Sequence, residues 1–289
     1  MTPHMADMRL ALVTGGTGFI GSRLLARLSA GGHRAISLDN HFAGRTEPPL
    51  PGVDYRKGHT KDIARIVPET PDLIYHLGEY SRTEISLKEP GLVWDLNMTG
   101  TAGVLEFWRM KACKLVYAGS STKFADGGLG RDQSPYAWSK AANTELVANY
   151  GRWYGLPYAI TYFYNVYGPG ERAGAYGSVI EIFRQRRLAN EPITVTAPGT
   201  QMRNFTHVDD IVDGLMRVGD DGVGDDYGIG DEHAHSVLEV AKLFGGKSIM
   251  GPSSPGNRMM SAIDTSKTRA LGWTPKHDLA TYIRESLAT

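Results

Sequence analysis

Hydrophobic and polar positions follow an alternating rhythm through the first half of the chain. Short apolar runs rich in β-branched and aromatic residues predict strands at RLALVTG, HRAISLDN, VDYRKG, DLIYHLG, KLVYAGSS and YAITYFYNVYG. The segments between them predict helices at roughly 19–31, 61–67, 92–110 and 136–154. Strands that alternate with helices favour an α/β fold with a parallel sheet, and right-handed crossovers make that sheet doubly wound.

The rhythm loosens after YNVYGPGER. A Gly-rich loop leads to a predicted helix near 178–190, a short strand ITVT and a helix that THVDD begins. We therefore predict a sheet domain over 1–165 and a smaller mixed lobe over 166–289, with a part near 203–230 returning to the sheet domain. Ligands of open α/β sheets bind outside the carboxyl ends of the strands, where such a lobe would cover them.

Composition narrows the classes of partner. Thirty-one basic residues balance 31 acidic ones, which argues against nucleic acid and anionic membranes as partners. The lone cysteine, Cys113, excludes an intrachain disulfide and suits a reducing cytoplasm. No apolar run approaches ~20 residues, and no signal-peptide core is visible. We expect a cytoplasmic protein that binds a small molecule or a second subunit.

A glycine-rich turn follows the first predicted strand. VTGGTGFIGS has the G-x-G-x-x-G spacing and opens a helix, a context in which the backbone approaches a pyrophosphate at the positive end of the helix. The motif predicts a Rossmann-type fold. We expect dinucleotide contacts from Gly15, Gly18, Phe19, Ile20 and Gly21.

The second strand ends in SLDN. The carboxylate of Asp39 at this position can accept hydrogen bonds from the adenosine ribose and would repel a 2′-phosphate. We therefore predict NAD rather than NADP, with Asp39 and Asn40 beside the ribose.

SPYAWSK places Tyr136 and Lys140 at i and i+4, on one face of a helix. Ser134 is a good N-cap and Pro135 a good first helical residue, so the tyrosine lies in the first turn. The helix dipole and the ammonium both favour an ionised phenol, which can act as a general base. The alternative is a packed aromatic beside a solvated lysine. The hydroxyls of AGSST, at the carboxyl edge of the sheet, favour the catalytic interpretation.

Several separate motifs occur in one order along almost the whole chain: GGTGFIGS, DN, PDLIYHLG, NMTGT, SSTKF, SPYAWSK, YNVYGPGE, RNFTHVDD and ALGWTPK. In this order they resemble the extended short-chain dehydrogenases/reductases of the nucleotide-sugar epimerase and dehydratase group, such as UDP-glucose 4-epimerases. The resemblance implies NAD as cofactor and a nucleotide-diphosphate sugar as substrate. It also implies a homodimer formed as a four-helix bundle by the helices near 92–110 and 136–154.

The resemblance assigns catalytic roles. Ser120 matches the hydroxyl of the catalytic triad, with Ser121 as a near competitor. Tyr136 matches the base, and Lys140 matches the residue that binds the nicotinamide ribose and favours the ionised tyrosine.

Binding residues follow from the same motifs. Asn165 resembles the residue that contacts the sugar diphosphate, and Arg203 the arginine that pairs with it, a role that suits a guanidinium fork. Arg258 in SPGNR is a displaced candidate for a second such arginine. Further cofactor contacts are expected from His59, Thr60, Leu77, Gly78 and Asn97.

The shared first step of this group is oxidation at sugar C4, after which the reactions diverge. Enzymes of the group that eliminate water across C5 and C6 carry a glutamate just after the triad hydroxyl, where this chain has Ser121 and Thr122. An epimerase needs no such group, so we predict a C4 epimerase of a UDP-sugar. A 4,6-dehydratase and a catalytically silent NAD-binding protein are the alternatives.

Some positions depart from the family pattern. Glu79 in HLGEYSR replaces a small residue and is a candidate substrate contact, either as the displaced acid/base of a dehydratase or as a polar residue at the pocket rim. The segment 124–136 is shorter than usual. His59 stands where the family has an aspartate for adenine, and Ser261 leaves room for an acetamido sugar. The pair His233 and His235 has metal-binding spacing without matched ligands, so no metal is predicted.

Overall fold

A computed structural model describes residues 8–42, 49–172, 174, 177–253, 259 and 263–288. The β-strands in these residues are β1 (Leu10–Thr14), β2 (Arg34–Asp39), β3 (Val53–Lys57), β4 (Leu73–His76), β5 (Lys114–Ser120), β6 (Tyr158–Phe163), β7 (Val166–Tyr167), β8 (Ile193–Ala197), β9 (Met202–Asn204), β10 (Thr206–His207), β11 (Gly224–Ile229), β12 (Ala234–Ser236) and β13 (Ser248–Ser253). The α-helices are α1 (Phe19–Ala30), α2 (Ile63–Ile66), α3 (Thr83–Ser86), α4 (Pro90–Val93), α5 (Gly100–Lys111), α6 (Pro135–Tyr154), α7 (Val179–Leu188), α8 (Val208–Asp221), α9 (Val237–Phe244), α10 (Ser266–Ala270) and α11 (Leu279–Ala288). Other helical turns are the 3₁₀ segments Thr60–Asp62 and Ser121–Asp132 and the π-helical segment Trp94–Thr99.

The main sheet of the described chain has seven strands in the order β11-β6-β5-β4-β1-β2-β3. Every pairing is parallel, which confirms the predicted doubly wound parallel sheet. The strand order reverses beside β1, where β2 lies on one side and β4 on the other. A crevice at such a reversal, at the carboxyl ends of the strands, is where ligands of these folds bind.

The two faces of the sheet bury separate cores because successive side chains of a strand point in opposite directions. Ala11 and Val13 of β1 contribute to a core that α1 and α8 cover, whereas Leu12 contributes to the core under α2, α5 and α6. The largest buried side chains include Trp273 in the first core and Trp108 in the second. Helices therefore cover both faces, as a Rossmann-type fold requires.

The second half of the chain divides between the sheet and a smaller lobe. Within the segment near 203–230, α8 packs on the main sheet and β11 is the edge strand of that sheet, paired with β6. The lobe is built from α7, α9 and α11 with the parallel pair β8 and β13, around a core that includes Phe183, Phe205 and Phe244. Among the described residues, no helix combines the length and the apolar character needed to cross a membrane.

Helix α6 begins where its sequence signals predict. The Oγ of Ser134 accepts a hydrogen bond from the N–H of Ala137 at 3.1 Å, and Pro135 is the first helical residue. The helix ends at Gly155, whose φ of +65° is the left-handed conformation that glycine adopts without strain. The predicted helix near 92–110 is instead three consecutive pieces, α4, the π-helical segment and α5. The π-helical turn contains Asn97, and such turns are frequent at functional sites.

Candidate active site

The glycine-rich turn lies at the reversal of strand order, between β1 and α1. Gly15 has a φ of +70°, and a Cβ there would come within 2.8 Å of the Cα of Gly78. A Cβ on Gly21 would come within 2.1 Å of the carbonyl oxygen of Gly15. Larger residues would therefore force the turn and the helix apart. Gly18 is the N-cap of α1 and has no side chain to cap its N–H groups, which suits a pyrophosphate of a dinucleotide.

Asp39 ends β2 beside this turn. Its Oδ2 accepts a hydrogen bond from the N–H of Thr17 at 3.0 Å, and its Oδ1 accepts one from His41 at 2.7 Å. The Oδ1 of the neighbouring Asn40 accepts from the N–H of Phe42. The structure thus brings the predicted ribose carboxylate against the glycine turn, and a carboxylate has further lone pairs for ribose hydroxyls.

Four of the predicted cofactor contacts follow two strands of the sheet: Leu77 and Gly78 come after β4, and His59 and Thr60 come after β3. Gly78 donates from its N–H to the Oγ1 of Thr14 at 3.1 Å, and Leu77 donates to the carbonyl of the same residue, so both border the glycine turn. His59 caps the turn that contains Thr60, and its ring lies 3.2 Å from a carboxylate oxygen of Asp95. An adenine contact from His59 stays a prediction.

Ser120 and Tyr136 meet at the carboxyl end of β5. The hydroxyl of Tyr136 donates a hydrogen bond to the Oγ of Ser120 at 3.1 Å. The same Oγ lies 2.9 Å from the Oγ1 of Thr122. Ser121, the competing serine, is buried, and its contact with a substrate stays a prediction. The serine and the tyrosine of the predicted triad are therefore in hydrogen-bond contact.

Lys140 lies one turn after Tyr136 and is bound to Glu79. Its Nζ forms a buried ion pair with the carboxylate of Glu79 and donates a hydrogen bond to the carbonyl oxygen of Ala118. Burial alone would raise the pKa of Glu79, but the lysine charge and the hydrogen bonds more than offset it, so the pKa lies below its ordinary value.

The structure corrects the interpretation of Glu79 as a polar residue at the pocket rim. Its side chain is 3% exposed, because it lies shortly after β4 and turns inward to contact Tyr117 of β5. A carboxylate held against Lys140 there is also unsuited to be the displaced acid/base of a dehydratase. In the sequence, the only sign that Glu79 is unusual is that it replaces a small residue of the family pattern. That replacement does not indicate that Glu79 pairs with Lys140.

Asn97 connects the segment after β4 with α6. Its Oδ1 accepts a hydrogen bond from the N–H of Tyr80 at 2.6 Å, and its Nδ2 donates to the Oγ of Ser139 at 2.9 Å. The carbonyl oxygen of Asn97 accepts from the Nδ2 of Asn143. These bonds hold α6, which carries Tyr136 and Lys140, against the segment after β4, and a cofactor contact from Asn97 stays a prediction.

The predicted diphosphate contacts come together in part. Asn165 follows β6 with a φ of +28°, and its Nδ2 donates to the carbonyl oxygen of Asn204 at 2.8 Å. Arg203 precedes Asn204 in β9, so the two predicted residues lie on neighbouring segments. Arg258 and Ser261 lie outside the described residues.

Sequence reasoning missed two charged residues, Arg82, which interacts with Tyr136, and Glu171, which interacts with Arg82. Burial lowers the pKa of Arg82, against the opposing charges of Glu171 and Tyr136. Burial raises the pKa of Glu171 to about 7. The hydrogen bond that its carboxylate accepts from the N–H of Ser178 at 2.8 Å and the charge of Arg82 act in the opposite direction and lower that pKa. The sequence offers no local signal for either, because the two interacting residues lie far apart along the chain.

One further set of side chains has metal-ligand character. Ligand atoms of His207, Asp209 and His277 lie within 4.8 Å of one another. The two rings stack face to face at 4.1 Å, and His277 binds the carboxylate of Asp210 at 2.9 Å. The Nδ1 of His207 accepts from the N–H of Asp209 and caps α8. These contacts give the three residues a structural role between α8 and the segment before α11.

Comparisons with known proteins match this geometry. The model of the NAD dependent epimerase/dehydratase family matches residues 11–230. A UDP-glucose 4-epimerase of Mycolicibacterium smegmatis is 28% identical, over 96% of each chain. UDP-glucuronic acid decarboxylase 1 of Xenopus tropicalis is 26% identical, over 93% of this chain and 69% of its own length.

Solved structures agree over nearly the whole chain. The UDP-glucose 4-epimerase of Thermus thermophilus, in complex with NAD, has a TM-score of 0.88 at 27% identity and covers 96% of this chain and 98% of its own. The enzyme of Thermotoga maritima with UDP-glucose has a TM-score of 0.90 at 25% identity and covers 96% and 97%. The resemblance drawn from the motifs is thus confirmed: the chain belongs to the NAD dependent epimerase/dehydratase family.

Proposed function

We propose that this enzyme is an NAD-dependent C4 epimerase of a nucleotide-diphosphate sugar, specifically a UDP-sugar. The observation that carries the proposal is the contact of Tyr136 with Ser120 at the carboxyl edge of the sheet, with Lys140 one turn away. The glycine turn and Asp39 border the same edge, where they fit a dinucleotide.

The proposed chemistry needs bound NAD and the side chains of Tyr136, Ser120 and Lys140. Bound NAD would supply the hydride acceptor and donor for sugar C4. Tyr136 takes the proton of the C4 hydroxyl and later returns it, and Ser120 orients that hydroxyl through its own Oγ. Lys140 binds the nicotinamide ribose, and its positive charge favours the ionised form of the tyrosine. The 4-keto sugar turns in the pocket between the two steps, and its other face is reduced.

The groups around Ser120 support epimerisation over 4,6-dehydration. Dehydration requires an acid and a base that remove the C5 proton and protonate O6. Ser121 and Thr122 are hydroxyl residues, and the hydroxyl of Thr122 lies in contact with Ser120. Glu79, the carboxylate that could have replaced them, is bound to Lys140 inside the protein.

For the substrate diphosphate we propose Asn165 and Arg203. Asn165 is tied to the residue after Arg203, and a guanidinium fork suits two phosphates. Arg258 is proposed as a second arginine and Ser121 as a contact to the sugar.

We further propose a homodimer in which the helical pieces between 90 and 111 and helix α6 form a four-helix bundle with a second copy. These helices carry large exposed apolar side chains, which is unusual for solvent-facing helices. The rings of Trp94 and Trp138 meet edge to face at 5.8 Å. The exposed set is Trp94, Met110, Trp138, Trp153 and Tyr154. Light scattering should give twice the chain mass, and Trp138→Glu should give the monomer; a monomeric wild type would contradict the dimer.

The reaction is tested by incubation with UDP-glucose, UDP-GlcNAc and UDP-glucuronate, followed by proton NMR. We expect inversion at C4 with no new methyl signal. A C6 methyl would identify a dehydratase. A pentose from UDP-glucuronate would identify a decarboxylase, since a C4 ketone beside the C5 carboxyl makes a β-keto acid that loses CO₂. No product from any substrate, with NAD bound, would favour the silent protein.

A further inference from the structure

A buried carboxylate touches the lysine of the catalytic triad. The side chains of Glu79 and Lys140 are 3% and 7% exposed, and they form an ion pair. An ammonium has three donors. Two of them are directed to Glu79 and to the carbonyl of Ala118, which restricts the direction of the third.

Three other side chains donate hydrogen bonds to the carboxylate of Glu79. Its Oε2 accepts from the hydroxyl of Tyr117 at 2.9 Å, and its Oε1 accepts from Thr101 and from Asn143, each at 2.7 Å. Movement of Glu79 would leave these buried donors without their acceptor, at a cost of roughly 1–3 kcal/mol each. Glu79 is therefore a fixed anchor for Lys140.

We propose that Glu79 is a positioning residue of the reaction, which anchors Lys140 through the buried ion pair and offsets the lysine charge beside Tyr136. The proposal rests on the proposed function, in which Tyr136 is the base. An ammonium favours an ionised phenol, and a carboxylate bound to that ammonium cancels much of the effect. Glu79 thus reduces the influence of the lysine charge on Tyr136.

Two other titratable groups face this pair, and a third interacts with Tyr136. Burial lowers the pKa of His76 on β4 to about 4, against the charge of Glu79, so the ring is neutral at physiological pH. Burial and the charge of Glu79 raise the pKa of Tyr117 on β5 well above its ordinary value, which keeps that phenol neutral. Arg82, after β4, contributes a positive charge near Tyr136. None of these groups can replace the negative charge of Glu79.

Glu79→Gln tests the proposal, since it keeps the shape and an acceptor while it removes the charge. The full-length protein is labelled with [¹³Cζ]tyrosine, and Tyr136→Phe identifies the signal of Tyr136 by its loss. We expect the titration of Tyr136 to move to lower pH by about one unit in Glu79→Gln, a tenfold change in its ionisation constant. The acid limb of the kcat/KM profile should move in the same direction.

The titration needs no turnover, so a failure of the proposed function leaves this result interpretable. Glu106→Gln is the matched control, because Glu106 is a glutamate on the outer face of α5, bound to Arg109. An unmoved Tyr136 signal in folded Glu79→Gln would overturn the proposal.

A second measurement covers the case in which Glu79→Gln does not fold. Lys140→Met leaves Glu79 as an unpaired buried charge, whereas the double variant Lys140→Met/Glu79→Gln carries no such charge. We expect the double variant to unfold at higher urea concentration than Lys140→Met alone. A double variant that unfolds at the same or a lower urea concentration than Lys140→Met alone would contradict the ion pair.

Discussion

The hydroxyl of Tyr136 lies 3.1 Å from the Oγ of Ser120, which joins the first turn of α6 to the end of β5. The two residues come from different elements, and their contact requires both the helix start at Pro135 and the last residue of the strand to be in place. Two hydroxyl groups from different elements thus meet at the carboxyl edge of the sheet.

Removal of the Tyr136 hydroxyl should stop turnover and leave the cofactor bound. In Tyr136→Phe we expect kcat to fall by about 10²–10⁴-fold, the range for loss of a general acid–base group. NAD affinity, measured by calorimetry, should change little, because the ring and its packing remain. Tyr154→Phe, at the exposed far end of the same helix, is the control. Substantial activity in Tyr136→Phe would exclude the tyrosine as the base.

The glycine turn should tolerate no side chain at Gly15. Gly15→Ala adds a Cβ at 2.8 Å from the Cα of Gly78 to a backbone with a φ of +70°. We expect lower stability, by about 1–3 kcal/mol for a residue forced into this region, and a large loss of NAD affinity. Urea unfolding and NAD titration measure the two effects.

Gly91→Ala is the matched control for that substitution. Gly91 lies in α4, and a Cβ there meets no atom within 4 Å. Alanine is the better helix former, so this variant should be as stable as the wild type or more stable by up to about 1 kcal/mol. Equal losses of stability and of NAD affinity in Gly15→Ala and Gly91→Ala would contradict a specific requirement for glycine at position 15.

The charge of Asp39 should govern discrimination against NADP. Asp39→Asn keeps an acceptor beside the glycine turn but removes the repulsion of a 2′-phosphate. We expect the ratio of NAD to NADP affinity to fall about tenfold or more, with Asp54→Asn on the neighbouring strand β3 as the control. An unchanged ratio would mean that other residues select the cofactor.

Stability should depend on pH through Glu171. Burial raises its pKa in the folded protein to about 7 from an ordinary 4.5, so the folded state binds a proton that the unfolded chain has already released. The free energy of unfolding therefore falls as pH rises from about 4.5 to about 7. Glu171→Gln removes this dependence and keeps an acceptor for the N–H of Ser178.

We expect Glu171→Gln to be about 1–3 kcal/mol more stable than the wild type at pH 8 and close to it at pH 4.5. Urea unfolding at the two pH values measures the difference. Glu191→Gln, which removes an exposed partner of Arg186, should shift stability by no more than about 0.5 kcal/mol at either pH. A gain for Glu171→Gln at pH 4.5 as large as at pH 8 would contradict the role of burial.

Local sequence determined the fold class, because the signals for it are short-range. Apolar runs of strand length and the glycine turn after β1 depend only on neighbouring residues, and they predicted the parallel sheet. The break of the helix near 92–110 into three pieces was missed, since a π-helical turn at Asn97 is stabilised by distant partners, Tyr80 and Ser139. The loss of a regular helix there has no local signature.

The sequence by itself determined the spacing of Tyr136 and Lys140, because residues at i and i+4 share a face of any helix. Tertiary structure alone decided the partner of Lys140. Glu79 lies 61 residues earlier, and only the packing of α6 over the ends of β4 and β5 brings the two charges together. The same packing turned Glu79 away from the pocket rim, since a carboxylate beside a buried ammonium is more stable paired than apart.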